Sequence, residues 1–231
     1  MGSVGAAPCA YATAQGGYVM FNEETLSFLR DLARNNERSW FVANKARYDL
    51  SVKDPSVAVA EMIASDLAEA YGQPFRSKIF RIHRDLRFSK DPTPYNTHVH
   101  MSFVPDGAQD AVAAWLLGLS PTYFTLGCGA MVFARPALGK FRESVAGPAG
   151  EHFAAVLSEL RIDGIRLSEP ELKRVPAPWP KDHPSAGLLR HKGLVGWIDA
   201  EPEDGLGPGM REATRAGFAR LSPLFELLSG V

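Results

Sequence analysis

Between Arg76 and Lys90 the chain carries six basic residues, Arg76, Lys78, Arg81, Arg84, Arg87 and Lys90, opposed in that window by Asp85 alone. A guanidinium is a planar fork of N–H donors that matches the oxygens of a carboxylate or phosphate. Lys78 to Phe88 alternates in polarity, which predicts a strand. In a strand Arg81, His83, Asp85 and Arg87 point the same way, spaced by roughly 6.6–7 Å. Two forks so placed can hold one anion between them, and Asp85 can orient a neighbouring Arg or His. The plainer reading is a solvated sheet face decorated with charges. Arg84 resists that reading. It falls among Phe80, Ile82, Leu86 and Phe88, on the face expected to be covered. There it needs a carboxylate, carbonyls or a cavity, or a bulge that turns it outward.

Other residues add proton chemistry. His98 and His100 form a His-x-His pair whose rings share one side of a strand, a geometry usable by a metal with His83 or Asp85 opposite. Asp85 and His98 are the acid–base candidates. Tyr95 and Lys90 belong to the same segment. Upstream, Asn36, Arg38, Asn44 and Lys45 form a second dense polar set, in which Asn44 and Tyr48 share a helix face and Trp40 and Phe41 read as core anchors. Asp182-His183 and His191 sit in a Pro-rich stretch and read as turn residues. Cys128, between two glycines, reads as a small buried residue rather than a nucleophile. No dinucleotide fingerprint, phosphate-binding loop, nucleophile elbow or His-Glu-x-x-His zinc motif occurs.

The elements that must position these groups follow from periodicity and punctuation. Asn22 caps a first helix carrying Leu26, Leu29 and Ala33; Asn35-Asn36 breaks it, and Asn36 caps a second helix from Glu37 to about Leu50. Asp54-Pro55 reads as the N-cap and first position of a third, with Val57, Ala60, Ile63, Ala64, Leu67 and Tyr71 inward and Gly72 as its stop. The Lys78–Phe88 strand follows, then a loop from Ser89 to Thr97 and a strand from Val99 to Val104. A hairpin joins Ala113–Leu119 to Tyr123–Phe133. Helices from Pro136 to Val145 and from Pro148 to Leu160, an irregular stretch from Leu172 to Gly187, a strand from Gly193 to Ile198 and a helix from Gly209 to Leu228 complete the chain. Helices, then strands, then helices predict an α+β fold, an antiparallel or mixed central sheet with helices packed on it. Residues 1–20 read as a disordered leader and 21–231 as one globular domain.

Composition narrows the partners. Of 231 residues, 45% are hydrophobic and 22% charged, with a net charge of −1. A general nucleic-acid or membrane-surface binder would be basic overall, so anion binding must be local. No apolar run spans a bilayer, and two isolated cysteines, Cys9 and Cys128, suggest a reducing, cytoplasmic setting.

Three segments carry a family resemblance. The first runs from Phe28-Leu29-Arg30-Asp31-Leu32 through Asn35-Asn36, Arg38, Trp40-Phe41, Asn44-Lys45 and Tyr48. The second is Arg81-Ile82-His83-Arg84-Asp85-Leu86-Arg87-Phe88-Ser89-Lys90-Asp91 with Thr93-Pro94-Tyr95 and Thr97-His98. The third is Leu172-Lys173-Arg174-Val175-Pro176 with Asp182-His183-Pro184 and Leu189 to Lys192. On these the chain resembles a bacterial family catalogued as domain of unknown function 2461. The resemblance implies one domain with its site at the second segment, and implies no reaction or cofactor. Pro92 stands where the family usually has Lys, and His83 and His100 lie outside its pattern. The expectation is a pocket for a small phosphate- or carboxylate-bearing ligand, built from Arg81, Arg84, Arg87, Lys90 and Tyr95 with Asn36, Arg38, Asn44 and Lys45 nearby. The alternatives are a nucleic-acid-binding module that stacks bases on Tyr95 or Phe88, and a metal-dependent enzyme using His98 and His100.

Overall fold

The computed structural model describes residues 19–87, 89–107 and 112–231. Residues 1–18 of the expected leader, with Cys9, and Phe88 lie outside the described residues, whereas Met20, expected in the leader, packs against the core. Helix α1 (Glu23–Arg34) starts as its sequence dictates: Asn22 accepts from the backbone of Glu24 and Thr25, and the Thr25 hydroxyl accepts from the Asn22 N–H. Its buried stripe is Thr25, Leu26, Phe28, Leu29 and Leu32, with Ala33 exposed.

The next segment departs from expectation. In place of one helix from Glu37 to Leu50 there are two short ones, α2 (Arg38–Ala43) and α3 (Lys45–Tyr48). A π-helical turn, Asp49–Lys53, then runs without a break into α4 (Asp54–Tyr71). Asp54 is therefore inside a continuous helical path, not an N-cap. Proline explains the wide turn. Pro55 has no N–H for the carbonyl of Ser51 and its ring would crowd that carbonyl. The Thr25 hydroxyl takes over, donating to the Ser51 oxygen at 2.6 Å in a buried bond. Gly72, at φ 65°, ends α4 as predicted.

Six strands form one antiparallel sheet in the order β1-β2-β3-β4-β6-β5: β1 Phe75–Ile79, β2 Val99–Pro105, β3 Ala114–Ser120, β4 Tyr123–Ala130, β5 Arg166–Leu167 and β6 Leu194–Ala200. Helices α5 (Arg135–Ala146), α6 (Gly150–Ile162) and α7 (Ala186–Leu189) precede β6, and α8 (Gly209–Ser229) closes the chain. The fold is α+β. β5 is too short to leave a period-2 signature, which is why sequence patterning misses it.

The core lies on one face of the sheet. Met101, Phe103, Trp115, Leu117, Leu119, Phe124 and Leu126 are buried there with Leu67 of α4 and Phe218, Leu221, Leu224 and Phe225 of α8. Trp115 stacks on Phe225 with ring centroids 4.9 Å apart. Gly217 lets α8 close on the sheet, since a Cβ there would lie 2.4 Å from Leu126 Cδ1. No helix among the described residues is long and apolar enough to cross a membrane.

The strand expected over Lys78–Phe88 is the main correction. Pairing with β2 is continuous only to Ile79. Phe80 donates one last backbone bond to the His100 carbonyl, at 2.9 Å, and the chain then leaves the sheet. The supposed covered face does not exist: Ile82 is buried, but Phe80 and Leu86 are exposed. A strand would have forced the Arg84 charge into the apolar layer without a partner, and the loop geometry avoids that cost.

Candidate functional site

The segment from Phe80 to His98 is a loop folded back on itself. Its limbs meet through Arg84 N–H to the Pro94 carbonyl (2.9 Å), Asn96 N–H to the Ile82 carbonyl (2.7 Å), and an antiparallel bridge between His83 and Tyr95. The Arg84 guanidinium fills the turn. It donates to the Asp91 carboxylate at 2.5 Å, to the Thr93 carbonyl at 3.1 Å, to the Thr93 hydroxyl, and to Ser89 Oγ at 3.3 Å. Asp91 also accepts from the Thr93 N–H and hydroxyl; these bonds, with the Arg84 cation, hold its carboxyl down at about 2. Arg84, 24% exposed, is thus the clamp of the loop.

The N-terminal helices anchor the same loop. The Asn36 amide donates to the Tyr95 carbonyl at 2.9 Å and accepts from the Tyr95 N–H at 3.0 Å, imitating a strand partner. Asn36 was expected to cap α2, but the N-cap position is Glu37, with no side-chain cap bond. The Tyr95 ring is buried and stacks on Phe41 at 4.2 Å, while the His83 ring packs against both. The others of the upstream set point elsewhere. Asn44 donates back to the Trp40 carbonyl, Lys45 pairs with Asp49 and lies over Tyr48, and Arg38 is exposed on α2.

Beside the loop opens a cleft of about 310 Å³, lined by Phe80, Arg81, His83, Arg84, Asp85, Asn96, His98 and His100. Arg81 stands at its wall with its side chain 71% exposed, and its one ion pair among the described residues, with Asp85, is long at 3.9 Å. Asp85 is engaged by Arg87, through Nε at 3.0 Å and Nη2 at 2.6 Å. That pairing holds the Asp85 carboxyl below the usual carboxylate range. Lys90 is exposed further along the loop. From Arg81 to Asp91 four cations face two carboxylates, a local positive excess in a chain of net charge −1. Asn96, whose amide donates to the Arg81 carbonyl at 3.2 Å, is a wall residue that sequence reasoning missed. Its position in a Thr- and Pro-rich loop was the only signal.

The histidine pair His98 and His100 lines the cleft. His98 and His100 stack with ring centroids 3.8 Å apart. Burial lowers both pKa values. The Arg84 charge adds to the effect at His98, and the His98 neighbour adds to it at His100, which is pushed down to about 4. His100 Nε2 lies 2.9 Å from the Tyr123 hydroxyl. Among the described residues no group of three or more His, Cys, Asp or Glu side chains is arranged to hold a metal ion. Elsewhere, His183 Nδ1 accepts from the Ser185 N–H, His191 is buried with Nδ1 3.0 Å from the Gly193 carbonyl, and burial pushes the Cys128 thiol well up.

No curated protein matches the chain. Residues 24–227 match the family described as conserved hypothetical protein (DUF2461), and the chain belongs to that family.

Proposed function

We propose that the cleft at the Phe80–His98 loop recognises the phosphate or carboxylate group of a small metabolite. The observation that carries this reading is Arg81. Its guanidinium is exposed at the cleft wall and, among the described residues, meets no close partner, whereas Arg84 is committed to the clamp and Arg87 to Asp85. An exposed guanidinium that is hydrogen-bonded to water can exchange that water for an anion, whereas the guanidinium held in the clamp cannot without releasing the loop. Asp85, kept ionised by Arg87, orients the two exposed guanidiniums, and Lys90 adds to the field that attracts an anion. His98, kept neutral by burial and by Arg84, is the group in the wall able to take up a proton when a negative charge docks beside it.

The test is a thermal-shift and calorimetric titration with inorganic phosphate, pyrophosphate and a panel of carboxylates, on the natural chain and on Arg81→Ala with Arg87→Ala. Stabilisation by an anion that disappears in the double variant is the expected result. Anion-dependent stabilisation that survives both changes removes the site from this loop. Binding confined to oligonucleotides, with a steep loss of affinity in salt, would transfer the arginines to a nucleic-acid backbone instead.

A further inference from the structure

The helices leave one face of the sheet bare, and residues from five strands line up across it. Register places Phe80, His100, Gly118, Thr125 and Asp199 in one row and Ser102, Leu116, Gly127, Trp197 and Arg166 in the next. Two of the central positions are glycines, so the middle of the face lacks side chains of its own and its neighbours lean over it. A Cβ at Gly127 would lie 2.5 Å from the Trp197 ring, and one at Gly118 would meet Thr125 at 2.9 Å, His100 at 3.1 Å and Tyr123 at 3.2 Å. The result is a trough of about 730 Å³, within the range of small-molecule sites.

Its walls have a definite chemistry. Phe80, Tyr123 and Trp197 offer aromatic surface from three sides. The polar groups are ordered: Arg166 forks onto Asp199 through bonds of 2.6 and 2.8 Å, Asp199 accepts from the Thr125 hydroxyl at 3.0 Å, and His100 meets the Tyr123 hydroxyl. Flat aromatic walls with a few fixed donors and acceptors suit a planar ring with polar edges. The trough also adjoins the anion cleft, since Phe80 and His100 line both. From His100 on β2 to Trp197 on β6 is three strand spacings, roughly 14 Å. That span accommodates a heterocycle, a short linker and a charged group.

We infer that the bare sheet face is a second subsite that stacks a planar heterocyclic ring on Trp197, with the Tyr123–His100 pair toward the anion cleft, so that the ligand is a heterocycle carrying a phosphate or carboxylate. The inference rests on the anion-cleft reading for the charged end only; the ring end stands on the trough. The occupant is a small molecule, not a second chain, because the charge at one end of the groove is cationic and the aromatic end is a concavity floored by glycine.

Calorimetric titrations with AMP, UMP and 1-naphthyl phosphate, each compared with inorganic phosphate, test it. AMP or UMP should bind ten times or more tightly than phosphate alone, and an advantage confined to 1-naphthyl phosphate, a carbocycle without polar edges, overturns the heterocycle. Trp197→Ala should abolish that advantage without altering phosphate binding, Trp197→Phe should restore most of it, and Arg81→Ala should weaken all of the probes. The subsite is overturned if no ring-bearing probe outbinds phosphate, or if the advantage survives Trp197→Ala in a variant whose circular dichroism is unchanged. It is also overturned if the protein forms a dimer that Trp197→Ala disrupts and AMP leaves intact. Ring-dependent binding that ignores Arg81→Ala would instead sink the anion cleft and leave the ring subsite standing.

Discussion

The two faces of the sheet use the same residue type in opposite ways. Trp115 on β3 points under the helices, fully buried and stacked between Phe218 and Phe225. Trp197 on β6 points to the bare face, half-buried, across a glycine, with the Arg166 guanidinium near its ring. The first is enclosed by aromatic partners, with its indole N–H left without an acceptor among the described residues. The second is held by what its neighbour lacks, a side chain at Gly127. A face built for stability is packed with large apolar groups. A face that keeps aromatic surface open above glycines leaves stabilisation unused and space available, which is the pattern of a binding surface.

Substitutions can break that comparison, and the largest effect is expected at the covered face. Trp115→Ala should cost about 3–5 kcal/mol in urea unfolding, from lost burial and an unfilled cavity. Trp197→Ala should cost less than about 1.5 kcal/mol, and equal losses at the two positions would erase the distinction between the faces. Next in size is the clamp. Arg84→Ala leaves Asp91 and Thr93 without their common donor and should release the loop at a cost of about 1–3 kcal/mol. Hydrogen exchange should then accelerate at the amides of Arg84 and Asn96 while the helical core keeps its protection.

A smaller effect separates the faces by pH. His100 is neutral in the fold and its pKa is held down to about 4, against 6.5 for an unperturbed histidine. The unfolded chain therefore binds more protons between these values, so the stabilisation is complete above 6.5 and is lost as pH falls toward 4. Because the ring is partly solvated, the loss should be on the order of 1–2 kcal/mol. Urea midpoints at pH 7 and pH 5 should show it, and His100→Gln should reduce the dependence, leaving the part that His98 and His191, also lowered by burial, contribute. The smallest stability effect belongs to the residue with the largest proposed role. Arg81→Ala should move the unfolding free energy by less than about 0.5 kcal/mol while removing the response to phosphate. A large destabilisation would return Arg81 to the structural network with Arg84.

Local patterns reveal much of this chain. Asn22 with Glu23 and Glu24, Gly72 after an apolar helix, and the turn at Ser120-Pro121-Thr122 are each explained by contacts within a few residues, and each appears where expected. Arg81, Arg84 and Asp85 were legible as a group because charge density needs no geometry to be noticed. Their division of labour was not. Whether Arg84 is spent and Arg81 is spare depends on Asp91 and Thr93 folding back onto the guanidinium. The alternation from Lys78 to Phe88 misled for the same reason, since it satisfies a strand template whose second half has no partner strand.

The amino-acid sequence alone determined the α+β order of elements, the capped start of α1, the glycine stop of α4 and the concentration of arginines, because these follow from short-range propensity and composition. Only the tertiary structure decided that Asn36 grips the Tyr95 backbone, that His98 and His100 stack, and that Gly118, Gly127, Tyr123 and Trp197 share one open face. Those relations join residues up to dozens of positions apart through strand register and side-chain packing, and no period within a single segment encodes them.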